Sequence, residues 1–368
     1  MYTAELDYEL PAELVATEPV SPRDQARLMV VERAADRVTH RRVCDLPELL
    51  RPGDLLVVNA SKVLPAYLEG VRVGTGGRVT GLYLVEAADG NGDAGDGGRQ
   101  WRVMLESRGT LQPGERIRFA GDLELELLAR ESGGAWRAAV HGEGDTPTIL
   151  ARAGKPPLPP YIRKARRALD LPELRAEDVE RYNTVYAAEA GSVAAPTAGL
   201  HFTPELLDRL RAMGVGMASV ILHVGLGTFQ PIRTERVEDH PIHREWMSVP
   251  AETLEQLQAT RRRGGRIVVV GTTTVRALES LPPVLPDPLR TISMETALFI
   301  TPSGMGEPQV TFRYTDVLMT NFHLPRSTLL ALVAALPGVG IERLRRYYRL
   351  AVAERYRFYS YGDAMLLL

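Results

Sequence analysis

The chain has 368 residues, 45% of them hydrophobic and 24% charged, enough apolar material for a large core and a length that favours more than one domain. Its net charge of -2 argues against coating nucleic acid by bulk electrostatics, and a single cysteine, Cys44, excludes an intrachain disulfide and a cysteine-built zinc or iron–sulfur site. Glu5, Asp7, Glu9, Glu13 and Glu18 crowd the N-terminus, and no apolar run approaches the roughly 20 residues that span a bilayer, so a cytoplasmic protein without membrane contact is expected.

From Lys62 to Pro159 the texture changes. Short alternating runs (RVTGLYLVEA, RQWRVMLE, ERIRFA, LELELLA and WRAAVHG) are separated by Gly-rich turns, the pattern of a small antiparallel barrel or sandwich. The Gly- and Asp-rich stretch from Ala87 to Arg99 has nothing apolar to bury and predicts a disordered hairpin tip. KPPLPPYI, residues 155–162, predicts a stiff, extended hinge back into the rest of the chain.

After the hinge, strands and helices alternate. Thr203, Pro204 and Glu205 supply a cap, a first-turn proline and an early acid for a helix through ELLDRLRAM that stops near Gly214. VGMASVILHV is a strand, ETLEQLQATRRR a helix, and RIVVVG a strand that turns into a helix at TTTVRALESL. DVLMT is a buried strand, and Ser327 or Thr328 caps an apolar helix ending at Pro337-Gly338. The expected fold is a discontinuous α/β main domain with an inserted small antiparallel β-barrel domain: residues 1–61 and 160–368 form the first, 62–159 the second. The tyrosine-rich tail YRFYSYGDAMLLL is expected to pack at a sheet edge rather than stack bases.

Candidate chemistry gathers in loops. His223 and His323 each follow a strand, and His201 precedes a helix cap, positions where open α/β sheets collect ligands. GSVAAPTAGLHF carries almost no bulk, so backbone amides there can approach a ligand closely. Thr272, Thr273 and Thr274 open a helix and present free amides to a carboxylate or phosphate. His240, His243 and Glu245 lack a further set of ligands, so no metal is expected. Three basic clusters, Arg163–Arg167, Arg261–Arg266 and Arg343–Arg349, are candidate phosphate contacts.

YNTVYAAEAGSVAAPTAGLHFT, LHVGLGTFQPI, HPIHRE, VGTTTVRALES, DVLMTNFHLPRSTLLALVAALPG and YRFYSYGDAML, with ELDYELPAELVATEPVSPRDQARLMV, DLLVVNASKV and PLPPYI near the start, closely resemble the motifs of the S-adenosylmethionine:tRNA ribosyltransferase-isomerase family, in order and nearly end to end. The resemblance implies transfer and isomerisation of the ribosyl part of S-adenosylmethionine onto 7-aminomethyl-7-deazaguanine at the first anticodon position of tRNA, giving epoxyqueuosine, adenine and methionine. It implies S-adenosylmethionine and the tRNA anticodon arm as partners and no metal or redox cofactor; a monomer is expected. His201, His223 and His323 are then candidates for base and acid. Asp24, Thr197, Gly199, Gly225, Gly227, Glu245, Thr272, Thr273, Thr274 and Asn321 are candidates for substrate binding, with Asn321 reading a base edge and Asp24 and Glu245 facing the sulfonium or ribose hydroxyls. Two stretches depart from the pattern. Asn59, Ala60, Ser61, Lys62, Val63 stand where the family typically has Asn-Asp-Thr-Arg-Val, and residues 301–315 differ from its shorter form. The first departure leaves open a relative that binds without catalysing; an ordinary methyltransferase is disfavoured because no Gly-rich adenosyl-binding turn follows a first strand.

Overall fold

The computed structural model describes residues 1–87, 98–225, 231–302 and 310–368; most of the expected hairpin tip lies outside them. The N-terminal part supplies β1 (Arg27–Glu32), β2 (Arg37–Arg42), β3 (Leu55–Asn59) and β4 (Ser61–Val63). All five residues of β3 are buried, Leu55 and Val57 in one hydrophobic core and Leu56 and Val58 in another. Such a strand reads as a continuous apolar run because both its faces are covered.

The insert follows as β5 (Tyr67–Arg72), β6 (Arg78–Glu86), β7 (Gln100–Ser107), β8 (Arg116–Phe119), β9 (Glu124–Arg130) and β10 (Trp136–His141). They pair in the order β5-β6-β7-β10-β9-β8, and β8 returns to β5, so the antiparallel barrel closes. Closure passes through Gly70, where a Cβ would sit 2.4 Å from the Arg118 carbonyl oxygen. Alternate residues such as Trp101, Val103, Ile117, Leu125, Leu127 and Ala138 fill the interior. The alternation predicts only strands here; the structure adds the helix Thr146–Ala153, capped by the Asp145 side chain accepting from the Thr148 amide at 3.0 Å. β11 (Gly154–Lys155) then pairs with β5.

The extended hinge is shorter than expected, because Pro160 already opens the helix Pro160–Ala168. Arg166 on that helix is not a phosphate contact. It is fully buried and grips Asp178 through two nitrogens at 2.6 and 2.8 Å, a fork-to-carboxylate geometry that fixes orientation. Arg261 is likewise paired with Asp316, Arg266 with Asp54, and Arg343 and Arg346 with Asp36, so much of each basic cluster serves the fold.

The chain continues through β12 (Glu189–Ser192), β13 (Gly216–Leu222), β14 (Glu245–Val249), β15 (Ile267–Val270), β16 (Ile292–Thr296), β17 (Val317–Asn321) and β18 (Ala364–Leu367). β4, which the expected boundary divides, pairs in parallel with β12. The main sheet runs β16-β14-β13-β3-β15-β17-β18-β1-β2. Its centre, β13-β3-β15-β17, is parallel. Leu206, Leu207 and Leu210 of the helix Pro204–Ala212 pack on one face. On the other pack the helices Ala251–Arg262, Thr272–Glu279, Thr328–Ala335 and Gly340–Ala353. Thr203 and Ser327 cap their helices as expected, accepting from the amides of Leu206 and Leu330.

The tail departs from expectation in one respect. Tyr356, Phe358, Tyr359 and Tyr361 are buried, but β18 lies inside the sheet, antiparallel to β17 and parallel to β1. Its uninterrupted AMLL is what a two-sided core demands.

Candidate functional site

The carboxyl ends of the four central parallel strands lie side by side, and three of them hand over to candidate residues. β13 ends at Leu222 before His223, β3 at Asn59, β15 at Val270 before Gly271, and β17 at Asn321 before His323. In an open α/β sheet this edge is where helix amino termini and loop side chains meet above exposed strand ends. A cleft of about 340 Å³ opens there, lined by Ala195–Ala198, Val224, Gly271–Thr273, Thr320, Asn321, His323 and Leu329.

The helix Thr272–Glu279 follows β15 through Gly271 at φ +88°, a left-handed turn that a Cβ would strain. Thr272 and Thr273 therefore reach the cleft at the positive end of their helix. Thr274 does not line it; its hydroxyl donates to the Val270 carbonyl at 2.6 Å.

His323 lines the cleft and is held on every side. Its amide donates to the Tyr348 hydroxyl at 2.9 Å, its carbonyl accepts from the Tyr8 hydroxyl, and its Nε2 lies 2.9 Å from Thr320 Oγ1. Burial pushes its pKa down to about 3, so the ring is neutral at physiological pH.

His201 sits one hydrogen bond behind. Thr197 Oγ1 donates to Asn321 Oδ1 at 2.9 Å, and Asn321 Nδ2 donates to His201 Nε2 at 3.1 Å. With both ends of the Asn321 amide engaged, it orients His201 and is not free to read a base edge. Burial pushes the His201 pKa down to about 4, against partial compensation from Asp363. Asn321→Ala strands the Thr197 hydroxyl and the imidazole. A loss of about 1–3 kcal/mol in stability, with reduced turnover, is expected in paired denaturation and rate measurements; a variant as stable and fast as the parent removes this role.

His223 does not join the cleft. It stacks at 4.9 Å on Trp246 and packs against Gly191, where a Cβ would come within 2.2 Å of the ring. Its Nε2 is buried without a partner among the described residues. Burial lowers its pKa, opposed by nearby Glu189.

The remaining candidates divide. Gly199 serves packing, since a Cβ there would lie 2.1 Å from the Tyr186 hydroxyl, and its amide already donates to Pro196. Gly225 donates its amide to Glu245 at 2.8 Å, and neither lines the cleft; Glu245 lines a neighbouring hollow instead. Asp24 lies on the turn Arg23–Gln25, which packs against the turn Thr197–His201. Gly227 and residues 303–309 lie outside the described residues. Among the described residues, no group of three or more His, Cys, Asp and Glu is placed to hold a metal ion, and no helix is long and apolar enough to cross a membrane.

Sequence reasoning passed over Asn59. Its Oδ1 accepts from the amides of Ser61 and Leu222, and its Nδ2 donates to the Leu222 carbonyl and to Thr273 Oγ1 at 3.3 Å. It thus ties two strand ends to the helix start. A buried amide ending an apolar strand was the available signal.

A larger cleft, about 980 Å³, opens between the barrel and the linker. Val193 and Ala194 line it while Ala195–Ala198 line the histidine cleft, so the small-residue loop is the partition between the two. Arg163 lies over the Tyr67 ring at 4.6 Å on the opposite wall.

A family model described as "Queuosine biosynthesis protein" matches residues 3–367. The chain is 45% identical over 368 residues to the S-adenosylmethionine:tRNA ribosyltransferase-isomerase of Thermotoga maritima, with all of both chains covered. The chain belongs to the S-adenosylmethionine:tRNA ribosyltransferase-isomerase family. It is 48% identical to the family member of Anaeromyxobacter sp., covering 100% of this chain and 99% of that one. The crystal structure of the S-adenosylmethionine tRNA ribosyltransferase from Thermotoga maritima superposes with a TM-score of 0.52 and 36% sequence identity, over 99% of this chain and 100% of that one. Membership makes the chain an enzyme, a transferase-isomerase of queuosine biosynthesis.

Proposed function

We propose that this enzyme transfers and isomerises the ribosyl part of S-adenosylmethionine onto 7-aminomethyl-7-deazaguanine at the first anticodon position of tRNA, releasing adenine and methionine and leaving epoxyqueuosine. The observation that carries the reading is a His323 held by hydrogen bonds in a cleft at the carboxyl edge of the parallel strands, in a chain that matches the family from end to end.

The sulfonium acidifies the ribose methylene beside it, so a neutral imidazole can take that proton and leave an ylide. His323 is neutral because burial disfavours its charged form, and the same burial makes the resulting imidazolium a ready donor. Its proton passes to the departing adenine, which needs one to leave. His201, acting through Asn321, is a positioning residue. The amides of Thr272 and Thr273 hold an anionic group of a substrate at the helix start. The larger cleft suits entry of the modified base, with Arg163 on Tyr67 offering a flat, cationic face. Neither metal nor redox cofactor enters, S-adenosylmethionine being consumed as substrate, and a monomer in the cytoplasm suffices.

Incubating the purified protein with S-adenosylmethionine and tRNA bearing the aminomethyl base is expected to release free adenine and form epoxyqueuosine, with no loss after dialysis against a chelator. Binding without turnover supports the non-catalytic relative instead. Appearance of S-adenosylhomocysteine marks a methyltransferase.

A further inference from the structure

A second, narrow hollow, open to solvent, shares Leu329 with the histidine cleft and is walled by Ile242, Leu298, Phe299, Ile300 and Leu332. Its polar side consists of His240, His243, Glu245 and Arg276. Arg276 belongs to the helix Thr272–Glu279, all eight of whose residues are buried, and is itself only 6% exposed.

The guanidinium is incompletely used. Its Nε donates to the Leu298 carbonyl at 3.2 Å and its Nη1 pairs with Glu245, which also accepts from the Gly225 amide. Its Nη2 is buried and has no partner among the described residues. Buried donors are almost always satisfied, and a guanidinium nitrogen left over beside an apolar hollow marks the place of an incoming acceptor. A charged donor of this kind suits one oxygen of a carboxylate, in a charge-assisted hydrogen bond. Glu245 lies against the same guanidinium and offers negative charge beside it, so the pair matches the two charges of an α-amino acid. The apolar walls match an unbranched thioether chain.

We propose that this cavity binds the α-amino-acid end of the sulfonium substrate, with its carboxylate on Arg276 Nη2, its ammonium beside Glu245, and its thioether chain leading past Leu329 to the histidine cleft. The inference rests on S-adenosylmethionine being the substrate. It assigns Arg276, which lies within VGTTTVRALES but was not among the candidate residues, as the group that distinguishes this substrate from one lacking the carboxylate, and it leaves the amide end of the same helix to a different anion.

The test compares S-adenosylmethionine with its decarboxylated analogue, which keeps the adenosine, sulfonium and ammonium. The wild-type enzyme is expected to prefer the carboxylate-bearing compound in kcat/KM by roughly tenfold or more. Arg276→Lys keeps a charge for Glu245 but loses the fork, so the preference collapses through the KM for S-adenosylmethionine while kcat at saturation changes little. Because that variant can misfold, the unmodified enzyme supplies a second readout: L-methionine displaces bound S-adenosylmethionine, and 3-(methylthio)propylamine does so far less well. Equal use of both sulfonium compounds, or equal displacement by both small molecules, overturns the inference alone. Failure of the unmodified enzyme to bind S-adenosylmethionine or release adenine from it overturns the parent reading and the inference with it.

Discussion

Replacing His323 with glutamine is expected to lower kcat for adenine release roughly 100- to 10,000-fold, the range of a lost general base, with much less change in the KM for S-adenosylmethionine. The strand end should survive the change, because Tyr8 and Tyr348 hold the backbone of residue 323 and not its ring. For Nδ1 to accept a proton, Nε2 must carry one and donate it to Thr320 Oγ1. Thr320→Val therefore frees the wrong tautomer and should slow turnover by a smaller factor. His201→Gln, which disturbs Asn321 rather than the reacting atoms, should also cost less than the loss of His323. Single-turnover rates of adenine release with circular dichroism controls decide the matter. If the folded glutamine variant of His323 keeps a rate within a few-fold of the parent, the base is another group; His223, with its unpartnered Nε2, is the next to test.

The sheet was legible where burial on both faces forces an uninterrupted apolar run. RIVVVG and DVLMT could be recognised because a parallel strand under two helical layers has no polar face to alternate with; LLVVN, of the same kind, stood out only by its family likeness. The helix starts at Thr203 and Ser327 were legible because capping is local chemistry. The strand Tyr67–Arg72 and its return pairing with β8 were not, since barrel closure brings together segments about fifty residues apart and leaves no local mark. The helix Thr146–Ala153 carries its own start signals, Asp145 and Pro147, but they sit in a stretch whose strand-like alternation outweighs two local residues.

The site was only half legible for a related reason. Sequence identifies residues that end strands, and so it found His323, Asn321 and Thr272. It cannot distinguish a side chain facing the cleft from one a hydrogen bond behind it, which is the difference between His323 and His201. Small residues mislead in the same way. Gly199 and Gly225 look like openings for a ligand, yet the first admits Tyr186 and the second binds Glu245. Arg276 was hidden most completely, because a helix buried on all sides has no polar face against which an inward arginine would stand out.

Acid should destabilise this fold well before its carboxylates are neutralised. Burial lowers the pKa of His201 to about 4 and that of His323 to about 3, against about 6.5 in an unfolded chain. As pH falls below about 6.5 the unfolded state takes up protons that the folded state refuses, so stability drains away progressively. The loss is complete only below the folded values, near pH 4 for His201 and near pH 3 for His323. At 1.36 kcal/mol per pK unit each residue forfeits on the order of 3–5 kcal/mol across that window, a large share of the roughly 5–15 kcal/mol by which a domain is stable. Because the rings stay neutral in the folded protein, an acid limb in activity between pH 6.5 and 4.5 should follow unfolding and not titration of the folded active site. Guanidinium midpoints measured from pH 8 to pH 4.5 are expected to fall steadily in the parent and to flatten when both histidines are replaced by glutamine. A parent midpoint that holds constant over that range, or a double variant that declines as steeply, would show that these imidazoles are not the groups that couple the fold to protons.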